Sequence, residues 1–492
     1  MTDESVVRKE RLKKLYEEGI EPYPAKSKRT HTAAEALAQF EALQKKRKPI
    51  TLVGRVRSIR GHGGSTFAHL EDGSGRLQVY LKQDTLGEEA YRQFVELFDV
   101  GDFLEATGTP FVTKRGEKTL EVTEYRLLVK TLESLPEKWH GLTDVEIRYR
   151  KRYLDLLANP DVRRIFETRS ALIAALREFL HDEKFLEVET PILQPIPGGA
   201  SAAPFVTHHN ALGADFFLRI APELYLKRLL VGGFERVFEI ARCFRNEGID
   251  HAHNPEFTQV EFYQAYATAE DLLELTERLL LFILDRVGME RQFEYDGNTI
   301  KVKPQFARIR FRDAIKKYAE LDIENYPDQP SLLRIAQERG TDVPETASRG
   351  KIFDELFKTH VRPKIVQPTF VTDYPIELSP LAKKNAADPR YADRFQLVIG
   401  GMELVNAFSE LNDPVDQRER FKEQESARAR GDEESQRIDE DFLGALEHGM
   451  PPAAGFGMGI DRLTMLLTNS HSIKETILFP TLKPREKLER ST

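Results

Sequence analysis

Two short stretches of the chain carry side chains that together suit a bound nucleotide. They run Phe244-Arg245-Asn246-Glu247-Gly248, followed by His253-Asn254-Pro255-Glu256-Phe257, and later Gly457-Met458-Gly459-Ile460-Asp461-Arg462. Arg245 can bind a phosphate through two N–H groups, because a guanidinium presents a planar fork of donors. Phe257 can cover one face of a flat base and the Arg462 guanidinium the other. Taken singly, these residues predict a surface ion pair, a core aromatic and a turn, but their joint occurrence favours a nucleotide site.

The order of these stretches resembles motifs 2 and 3 of the class II aminoacyl-tRNA synthetases. The resemblance implies that Arg245 contacts the α-phosphate of ATP and that Arg462 stacks on adenine and reaches the γ-phosphate, so that both act in catalysis. It also implies that Glu247 and Asn254 recognise adenine and that His253 contacts the phosphate tail. The chain has no P-loop or Rossmann fingerprint, which agrees with ATP being held in this other way.

The resemblance further implies a Mg²⁺ ion that bridges the phosphates, with Glu403 as its carboxylate ligand. Gln396 stands where the family usually has a second acidic ligand, and a glutamine coordinates only through its carbonyl oxygen. We therefore expect a metal site that binds less tightly or holds fewer ions. In a strictly regular strand Glu403 and Asn406 face opposite sides, so the place of Glu403 follows from the resemblance alone. Alanines at positions 203 and 252 stand where arginines are usual.

The stretches Ala221-Pro222-Glu223-Leu224-Tyr225-Leu226-Lys227 and Asn406-Ala407-Phe408-Ser409-Glu410-Leu411-Asn412-Asp413 extend the resemblance to class II lysyl-tRNA synthetases of bacterial type. It covers nearly the whole chain. Because aspartyl and asparaginyl enzymes share the architecture, the substrate must be argued from the pocket. Glu223, Glu261 and Glu410 bring three carboxylates to one cavity, which suits a ligand with two ammonium groups. The alternative is that such glutamates pair with Lys or Arg on the surface, the usual fate of a lone glutamate.

The lysine-binding residues that the resemblance implies are Gly199, Glu223, Glu261, Tyr263, Asn406, Phe408 and Glu410. Glu410 and Tyr263 receive the ε-ammonium, while Glu223, Glu261 and the Gly199 backbone hold the α-amino group. Strand alternation supports part of this set, since Glu261 and Tyr263 lie two residues apart and share a face.

The reaction implied is the formation of lysyl-adenylate and pyrophosphate from lysine and ATP, followed by transfer of lysine to the 3′-adenosine of tRNA. The lysine carboxylate, which lies near Asn406, is itself the nucleophile, so the first step needs no general base. Phe408 lines the aliphatic stem. The enzyme must align the carboxylate with the α-phosphorus and spread the developing negative charge.

A chain of 492 residues exceeds one ordinary domain, and the resemblance implies an α+β multidomain protein. We expect an N-terminal helical extension over residues 1–50, an OB-fold β-barrel that binds the anticodon over 51–134, and a linker over 135–150. Residues 151–492 then form a class II synthetase catalytic domain, an antiparallel sheet flanked by helices. Within it, motif 1 spans about 161–191, motif 2 about 236–263, motif 3 about 455–467, and a peripheral insertion about 321–350.

Local patterns predict the elements of these domains. Helices are expected at residues 6–18 and 32–46, and a long helix capped by Asp161 follows Pro160. Short strands are expected at 52–56, 66–70, 77–81, 103–106 and 120–122, with a turn at 72–75. Residues 185–190 read as a strand ended by a proline. Residues 396–405 read as a hairpin that turns at Gly400-Gly401.

In the barrel, Arg60, Phe67 and Gln78 match positions that recognise the anticodon in related synthetases, and Glu117 is expected to contact a neighbouring base. Phe67 can stack on an unpaired base, while Gln78 and Arg60 can bond its edge. Taken singly, Phe67 would be barrel core. Two basic segments, residues 8–14 and 45–48, are candidates for RNA contact, and the alternative for each is a solvated helix or linker.

Composition bounds the partners and the compartment. The net charge is −8, so a nucleic acid must meet a local patch and not a uniformly basic body. The single cysteine, Cys243, excludes an internal disulfide and suggests a reducing compartment. No apolar run long enough for a membrane span and no signal core are present, so we expect a cytosolic protein. The motif 1 region is expected to form a homodimer.

Two competing interpretations remain from the sequence. One is a lysyl transferase that modifies a protein, such as the elongation-factor-P lysylating paralogue, which lacks the anticodon barrel. The other is an inactive synthetase-like regulator that binds RNA or a metabolite. Such regulators usually lose the arginine of motif 2 or motif 3, and here both Arg245 and Arg462 are present.

Overall fold

The computed structural model describes residues 3–135, 142–429 and 437–484. The chain divides into two compact units, Met1–Thr143 and Asp144–Thr492. The helices and strands of the first unit are α1 (Asp3–Glu17), α2 (Ala33–Ala38), α3 (Phe40–Lys46), β1 (Ile50–His62), β2 (Ser65–Asp72), β3 (Gly75–Lys82), α4 (Gln83–Leu86), α5 (Glu88–Leu97), β4 (Phe103–Val112) and β5 (Lys118–Val129).

The five strands of the first unit close into a barrel in the order β1-β2-β3-β5-β4, which confirms the predicted OB-fold. Each strand alternates, so that Val56, Ala68 and Val79 are completely buried in the interior. The predicted turn between β2 and β3 is held by Asp72, whose Oδ1 accepts the backbone N–H of Ser74 at 2.8 Å.

The helices before the barrel differ from the single helix expected over residues 32–46. Thr32 and Glu35 form a capping box that starts α2. Gln39 leaves the helical conformation and separates α2 from α3, and Arg47 ends α3 in a left-handed conformation. Ala36 before the break and Leu43 after it both pack into the barrel core, so the break lets two short helices cover the barrel.

The second unit contains the remaining α-helices and strands of the described chain. In chain order they are α6 (Val145–Arg150), α7 (Arg152–Ala158), α8 (Pro160–Asp182), β6 (Leu186–Glu187), β7 (Leu193–Gln194), β8 (Val206–His209), β9 (Ala214–Leu218), α9 (Glu223–Val231), β10 (Arg236–Phe244), β11 (Glu256–Ala265), α10 (Ala269–Arg286), β12 (Gln292–Tyr295), β13 (Asn298–Lys301), β14 (Ala307–Arg310), α11 (Phe311–Ala319), α12 (Gln329–Glu338), α13 (Arg349–Leu356), β15 (Thr369–Pro375), β16 (Tyr391–Ile399), β17 (Met402–Ser409), α14 (Pro414–Ala429), α15 (Glu440–Glu447), β18 (Ala453–Gly459) and α16 (Ile460–Thr468).

An eight-stranded sheet in the order β14-β15-β16-β17-β18-β11-β10-β6 organises this unit. Its inner pairs are antiparallel, as predicted, and the outermost pairs, β14 with β15 and β10 with β6, are parallel. One face packs on α8, α10 and α16 through a core that includes Leu176, Leu279 and Leu463. The opposite face carries α9 and α15, whose Leu224 and Phe442 pack with Tyr263 of β11.

Three local expectations differ from the structure. The long helix begins at Pro160 with Asn159 in the capping position, so Asp161 lies inside the first turn and is not the cap. The strand expected over residues 185–190 is reduced to Leu186–Glu187. Val145–Arg150 forms a helix where a linker was expected, while residues 136–141 of that linker lie outside the described part of the chain.

Within the expected insertion over residues 321–350, Leu321, Ile323 and Leu332 are buried. They pack with residues of α11, α13 and β15 in a satellite core separate from the main one. The insertion therefore rests on the edge of the sheet.

The hairpin of β16 and β17 turns at Gly400 and Gly401, both with positive φ, as predicted. Its pairing shifts between Leu397, which faces Val405, and Val398, which faces Glu403. Leu404 is therefore an extra residue, a β-bulge, and it is buried in the main core together with Val405. The bulge reverses the alternation, so Glu403 shares a face with Asn406. No helix in residues 3–135, 142–429 or 437–484 is both long and apolar enough to span a membrane.

Candidate functional site

Three acidic side chains converge on the sheet face that carries α9. Glu223 is the first residue of α9, Glu261 lies in β11, and Glu410 follows β17 directly. All three are buried, with 6%, 6% and 1% of their surfaces exposed. The structure thus brings together the carboxylates that the sequence placed around one cavity.

Lys227 lies between two of these acids, one turn after Glu223 on α9. Its Nζ is 2.6 Å from Oε1 of Glu223 and also contacts Oε2 of Glu410. The alternative interpretation of the sequence was that these glutamates pair with Lys or Arg on the surface. Glu223 and Glu410 do pair with a lysine, but the ion pairs are buried. Burial alone lowers the pKa of an ammonium, yet the carboxylates of Glu223 and Glu410 outweigh it and the pKa of Lys227 is raised.

Glu410 keeps one oxygen without a partner. Its Oε1 is buried and accepts no hydrogen bond from any described residue. A Cβ at Gly455, in β18, would lie 2.1 Å from this oxygen and 2.4 Å from Cε1 of Tyr263. Gly455 therefore leaves the room in which Glu410 and Tyr263 approach each other. Burial raises the pKa of Glu410 well above its ordinary value, although the Lys227 ammonium opposes the rise.

Glu261 is held by its neighbours on β11. Its carboxylate accepts hydrogen bonds from Nε2 of Gln259 at 2.6 Å and from the Tyr263 hydroxyl at 3.0 Å. Burial raises the pKa of Glu261 to about 8, and the negative charge of Glu223 adds to the rise. At neutral pH the pocket without a ligand therefore retains a proton that a bound cation would displace.

The Gly198-Gly199 loop closes one side of the pocket. Gly199 has φ +86°, and a Cβ there would come within 2.9 Å of the Glu223 Cβ. Farther along this loop, the carbonyl oxygen of Ala203 accepts the backbone N–H of Asn246 at 2.7 Å. The loop next to Glu223 is thereby tied to the stretch that contains Arg245.

Asn406 faces the pocket and is oriented by Arg394, a residue that the sequence patterns did not single out. The Nε of Arg394 donates to Oδ1 of Asn406 at 2.8 Å, and its guanidinium lies 4.7 Å from the centre of the Tyr374 ring. Because a guanidinium only donates, the amide oxygen of Asn406 must face it, and the amide N–H groups are left for a ligand. Phe408, on the same face, lies 5.4 Å from Nζ of Lys227.

Arg245 and Phe257 meet where β10 and β11 leave the sheet. The Arg245 guanidinium lies 5.0 Å from the centre of the Phe257 ring, and its backbone N–H donates to Pro255 at 2.9 Å. The Nε of Arg245 is buried and has no partner among the described residues. A cation and an aromatic face thus stand together without a saturating acid, which suits a phosphorylated base.

Arg462 stands in the first turn of α16, opposite His253. Its NH1 group donates to the backbone oxygen of Glu403 at 3.0 Å, and its NH2 group lies 3.4 Å from Nε2 of His253. The other ring nitrogen of His253 is 2.9 Å from a carboxylate oxygen of Asp250. Arg462, His253 and Glu403 therefore come together from three separate parts of the chain.

Asn254 and Glu247 complete the predicted ATP set. Asn254 is 6% exposed, and its Nδ2 donates to the backbone oxygen of Glu256 at 2.6 Å. Its Oδ1 is buried without a hydrogen-bond partner in the described ranges. An unpartnered amide oxygen at this point suits the exocyclic amino group of a base. Glu247 is partly exposed on the loop between β10 and β11.

Asp461 aims the start of α16 and was not singled out from the sequence. It is 2% exposed and accepts from Arg169 of α8 at 2.6 Å and from the backbone N–H of Thr258 at 2.7 Å. This clamp fixes the neighbouring Arg462 against β11. An arginine so distant in sequence offers no local signal for such a role.

The candidate Mg²⁺ ligands are Glu403 and Gln396, which supply few protein oxygens for an ion. Because of the bulge at Leu404, Glu403 and Gln396 lie on the same face of the sheet. Gln396 is buried, and its Oε1 accepts the Tyr374 hydroxyl at 2.7 Å. No group of three His, Cys, Asp or Glu side chains gathers around a metal position in the described chain. One carboxylate and one amide oxygen fit an ion held mainly by phosphate oxygens.

On the barrel, three of the four predicted anticodon residues share the outer face. Arg60 pairs with Phe67 across β1 and β2, and Phe67 pairs with Tyr80 across β2 and β3. Phe67 is partly exposed between the buried Thr66 and Ala68, so it is not part of the barrel core, which was the alternative for this residue taken singly. It stacks on Tyr80 at 4.6 Å between ring centres.

Gln78 lies two residues before Tyr80 on the same face, and its Nε2 donates to Oγ1 of Thr119 at 2.8 Å. Glu117 is exposed in the loop between β4 and β5. The structure therefore groups Arg60, Phe67 and Gln78 with Tyr80. The addition of Tyr80 to this group follows from strand pairing and not from local sequence.

The basic segment over residues 8–14 is partly used within the first unit. Arg8 is 3% exposed and donates to Oγ1 of Thr131 at 2.8 Å, and Arg11 pairs with Asp99. These two arginines attach α1 to the barrel, and Arg8 is buried by this contact. In the other segment, residues 45–48 are all exposed, from the last turn of α3 onward.

Comparison with known proteins agrees with both units. The family model of tRNA synthetases class II (D, K and N) matches residues 144–483, and that of the OB-fold nucleic acid binding domain matches residues 50–128. A lysine–tRNA ligase of Pelotomaculum thermopropionicum is 51% identical over 98% of this chain and 95% of its own length. Those of Carboxydothermus hydrogenoformans and Shouchella clausii are 50% and 49% identical over 98% and 99% of the chain and 98% of their own lengths. The chain therefore belongs to the class II tRNA synthetases and, within them, to the family of lysine–tRNA ligases.

Proposed function

We propose that the protein activates L-lysine with ATP to lysyl-adenylate and transfers the lysine to the 3′ end of tRNA(Lys). The observation that carries the substrate is the excess of buried negative charge in the pocket. Three carboxylates face one resident ammonium, and Oε1 of Glu410 is left without a partner among the described residues. A buried acceptor of this kind has a high cost unless a ligand satisfies it.

In this proposal the two ends of lysine are recognised separately. Glu410 and Tyr263 accept the ε-ammonium, while Glu223, Glu261 and the Gly199 backbone hold the α-amino group. Phe408 lies along the aliphatic stem, and the amide N–H groups of Asn406 face the carboxylate. An amino acid with a neutral side chain would leave Oε1 of Glu410 buried without a partner, which explains selection of lysine.

ATP lies between the Phe257 ring and the Arg462 guanidinium. Arg245, whose Nε has no partner in the described chain, binds the α-phosphate and stabilises the charge that develops there. His253 and Arg462 hold the distal phosphates, and Asn254 and Glu247 recognise adenine. Because the lysine carboxylate attacks directly, these side chains act by alignment and by charge, not by proton transfer.

A Mg²⁺ ion, when bound, would neutralise the phosphates and withdraw charge from the leaving pyrophosphate. Glu403 would supply the carboxylate and Gln396 its amide oxygen. The Tyr374 hydroxyl already donates to Gln396 and uses one of its two lone pairs. We expect a weaker metal site than two carboxylates would give.

tRNA is the second substrate, with the anticodon on the barrel face formed by Arg60, Phe67, Gln78 and the adjacent Glu117. We also propose a homodimer through the motif 1 region, in a cytosolic setting. Leu186 of that region and Ile192 and Leu193 directly after it are 48%, 44% and 45% exposed, and a contiguous apolar surface is usually covered. Sedimentation of the purified protein at micromolar concentration tests the dimer.

The decisive experiment is isotope exchange between pyrophosphate and ATP, run with each amino acid in turn. Only lysine should support exchange. Arg245→Ala should lower adenylate formation by at least ~10²-fold in a single-turnover assay, by analogy with the loss of one preorganised oxyanion donor. Arg308→Ala, which removes an exposed arginine paired with Glu270, serves as the control. Near wild-type adenylate formation by the Arg245 variant would refute the assignment.

A further inference from the structure

Lys227 has no part in the proposed recognition of lysine, yet it lies inside the pocket. It is completely buried, and its Nζ lies 5.4 Å and 6.0 Å from the ring centres of Phe408 and Phe442. Its ion-pair partners, Glu223 and Glu410, are the two acids that receive opposite ends of the substrate in the proposed function. The ammonium thus joins two recognition points that come from different elements.

We propose that Lys227 is a positioning residue for lysine recognition, whose ammonium stays in place when lysine binds and holds Glu223 and Glu410 in their binding orientations. This inference rests on the proposed function. Oε2 of Glu410 is engaged by Lys227, so its Oε1 is the oxygen turned toward Tyr263 and the space left by Gly455. A carboxylate fixed through one oxygen presents the other with little loss of rotational freedom when the ligand arrives.

Charge balance supports the same role. Three carboxylates, the ammonium of Lys227 and the guanidinium of Arg394 leave one negative charge, which equals the net positive charge of lysine with its two ammonium groups and its carboxylate. Without Lys227, the three acids would face one another in a buried space, and repulsion and burial would keep them protonated. A protonated acid is a poor partner for an ammonium, so the resident cation keeps the pocket able to bind the incoming ones.

Departure of Lys227 from the pocket on binding is disfavoured by its surroundings. The side chain is enclosed by the Phe408 and Phe442 rings and reaches Glu223 from the same helix, one turn away. Moving it out would leave buried carboxylates uncompensated, a cost that exceeds that of breaking an exposed pair. The ammonium is therefore a permanent part of the site and does not merely occupy the place of the substrate.

Other charged groups around the pocket must be considered in any pH experiment. Those facing it are Glu223 from α9, Glu410 after β17, Glu261 and Tyr263 from β11, and Arg394 from β16. Lysine binding in the wild type requires ionised acids, so KM for lysine falls as the pH rises and then levels off. The inflection of this curve of KM against pH reports the ionisation of the acids. Loss of the Lys227 charge should move the inflection to higher pH, because Lys227 opposes the rise in the pKa of Glu223 and Glu410.

The test measures KM for lysine and for ATP by pyrophosphate exchange between about pH 6 and about pH 9, a range that brackets such acids. The variants are Lys227→Met, Lys227→Gln, which retains hydrogen bonding, and Lys227→Arg, which retains the charge. In Lys227→Met and Lys227→Gln, which lack the charge, KM for lysine near pH 7 should rise by at least ~10-fold. The pH at which KM levels off should rise by at least ~1 unit. KM for ATP should stay within about twofold, and Lys227→Arg should keep the wild-type inflection.

The matched control is Arg228→Met, which removes a cation from the next position of α9. Arg228 pairs with Asp439 at 2.6 Å, away from the three acids, so its loss should leave the lysine inflection unchanged. Neutral variants with the wild-type inflection and KM would overturn the role of Lys227, even if their melting temperatures fell. Wild-type protein without lysine-dependent exchange would instead overturn the proposed function.

Discussion

Among the residues that the structure describes, each unit buries one lysine ammonium among carboxylates, and the two clusters differ in how fully the acids are satisfied. In the barrel unit, Nζ of Lys130 donates to Leu97 O at 2.7 Å and Asp102 Oδ2 at 2.8 Å, and also contacts Asp99. The other oxygen of Asp102 accepts both the N–H and the hydroxyl of Thr131, each at 2.8 Å. Every polar atom at the centre of this cluster has a partner.

The cluster around Lys227 in the catalytic unit has more acid than base. Glu223 and Glu410 share one ammonium, Glu261 relies on neutral donors, and Oε1 of Glu410 has no hydrogen-bond partner among the described residues. The comparison teaches that burial of an ion pair does not by itself indicate a function. A saturated cluster has no polar atom left for a ligand, whereas a buried acceptor without a partner is a group that a ligand can satisfy.

The largest effect should follow from breaking the saturated cluster. Lys130→Met leaves Asp99 and Asp102 without their cation and should destabilise the barrel by about 3–5 kcal/mol. Hydrogen exchange of barrel amides, followed by mass spectrometry, reports this loss locally. Below the barrel transition, lysine-dependent pyrophosphate exchange should remain at the wild-type level. Lys114→Met, at an exposed position, is the control, and equal protection in both variants would contradict the structural role of Lys130.

Removing an acid from the unsaturated cluster should act on binding. Glu410→Gln should weaken the binding of lysine by about 2–5 kcal/mol, because a desolvated ammonium loses its charged partner. The affinity for ATP should stay unchanged. Titration calorimetry measures both dissociation constants. Glu447→Gln, at an exposed glutamate of α15, serves as the control. A change in the lysine dissociation constant of less than tenfold would remove Glu410 from the ε-ammonium site.

A smaller effect is expected on the outer face of the barrel. Phe67→Ala should lower kcat/KM for tRNA by roughly 5- to 150-fold, the loss of one stacked base worth about 1–3 kcal/mol, and leave pyrophosphate exchange unchanged. Because Phe67 is partly exposed, the melting curve should move little. Phe94→Ala, at a completely buried ring, should instead destabilise the barrel by about 3–5 kcal/mol. A folded Phe67 variant with wild-type charging would exclude this ring from the anticodon site.

The smallest effect concerns protons. Since the pKa of Glu261 is raised to about 8 in the pocket without a ligand, this carboxyl is largely protonated at neutral pH. Binding of an ammonium favours the ionised form, so lysine binding should release up to about one proton and tighten as the pH rises toward that value. Calorimetry in two buffers with different ionisation heats measures the release. Glu261→Gln, measured at saturating lysine, should release fewer protons. A wild-type binding enthalpy that is the same in both buffers would contradict the prediction.

The sequence predicted what local patterns encode. Alternation and turn residues located the barrel strands and the Gly400-Gly401 hairpin, and both were found. It could not predict the break at Gln39, which does not interrupt the apolar pattern, and the adjacent apolar residues Leu404 and Val405 depart from alternation without showing which of them is the extra residue. Residue types and family motifs named the acids of the pocket, and the structure brings Glu223, Glu261 and Glu410 together.

Contacts between distant parts of the chain could not be predicted in the same way. Lys227 stands in a matching stretch, but nothing in its neighbourhood indicates that Glu410 is its partner. Arg394 acquires a role only because β16 pairs with β17 and places it beside Asn406. Tyr80 likewise supports Phe67 only through strand pairing in the closed barrel.

The extra residue at Leu404 has a consequence for how this chain can vary in length. Loss of Leu404 would restore regular alternation and would place Glu403 two residues before Asn406, so both side chains would keep the face they share with the bulge. The deletion would remove one side chain from the apolar core and would leave the acidic side chain on the pocket face. The segment therefore tolerates a change of length at Leu404, and an alignment gap placed there keeps the acidic position on the same side of the sheet.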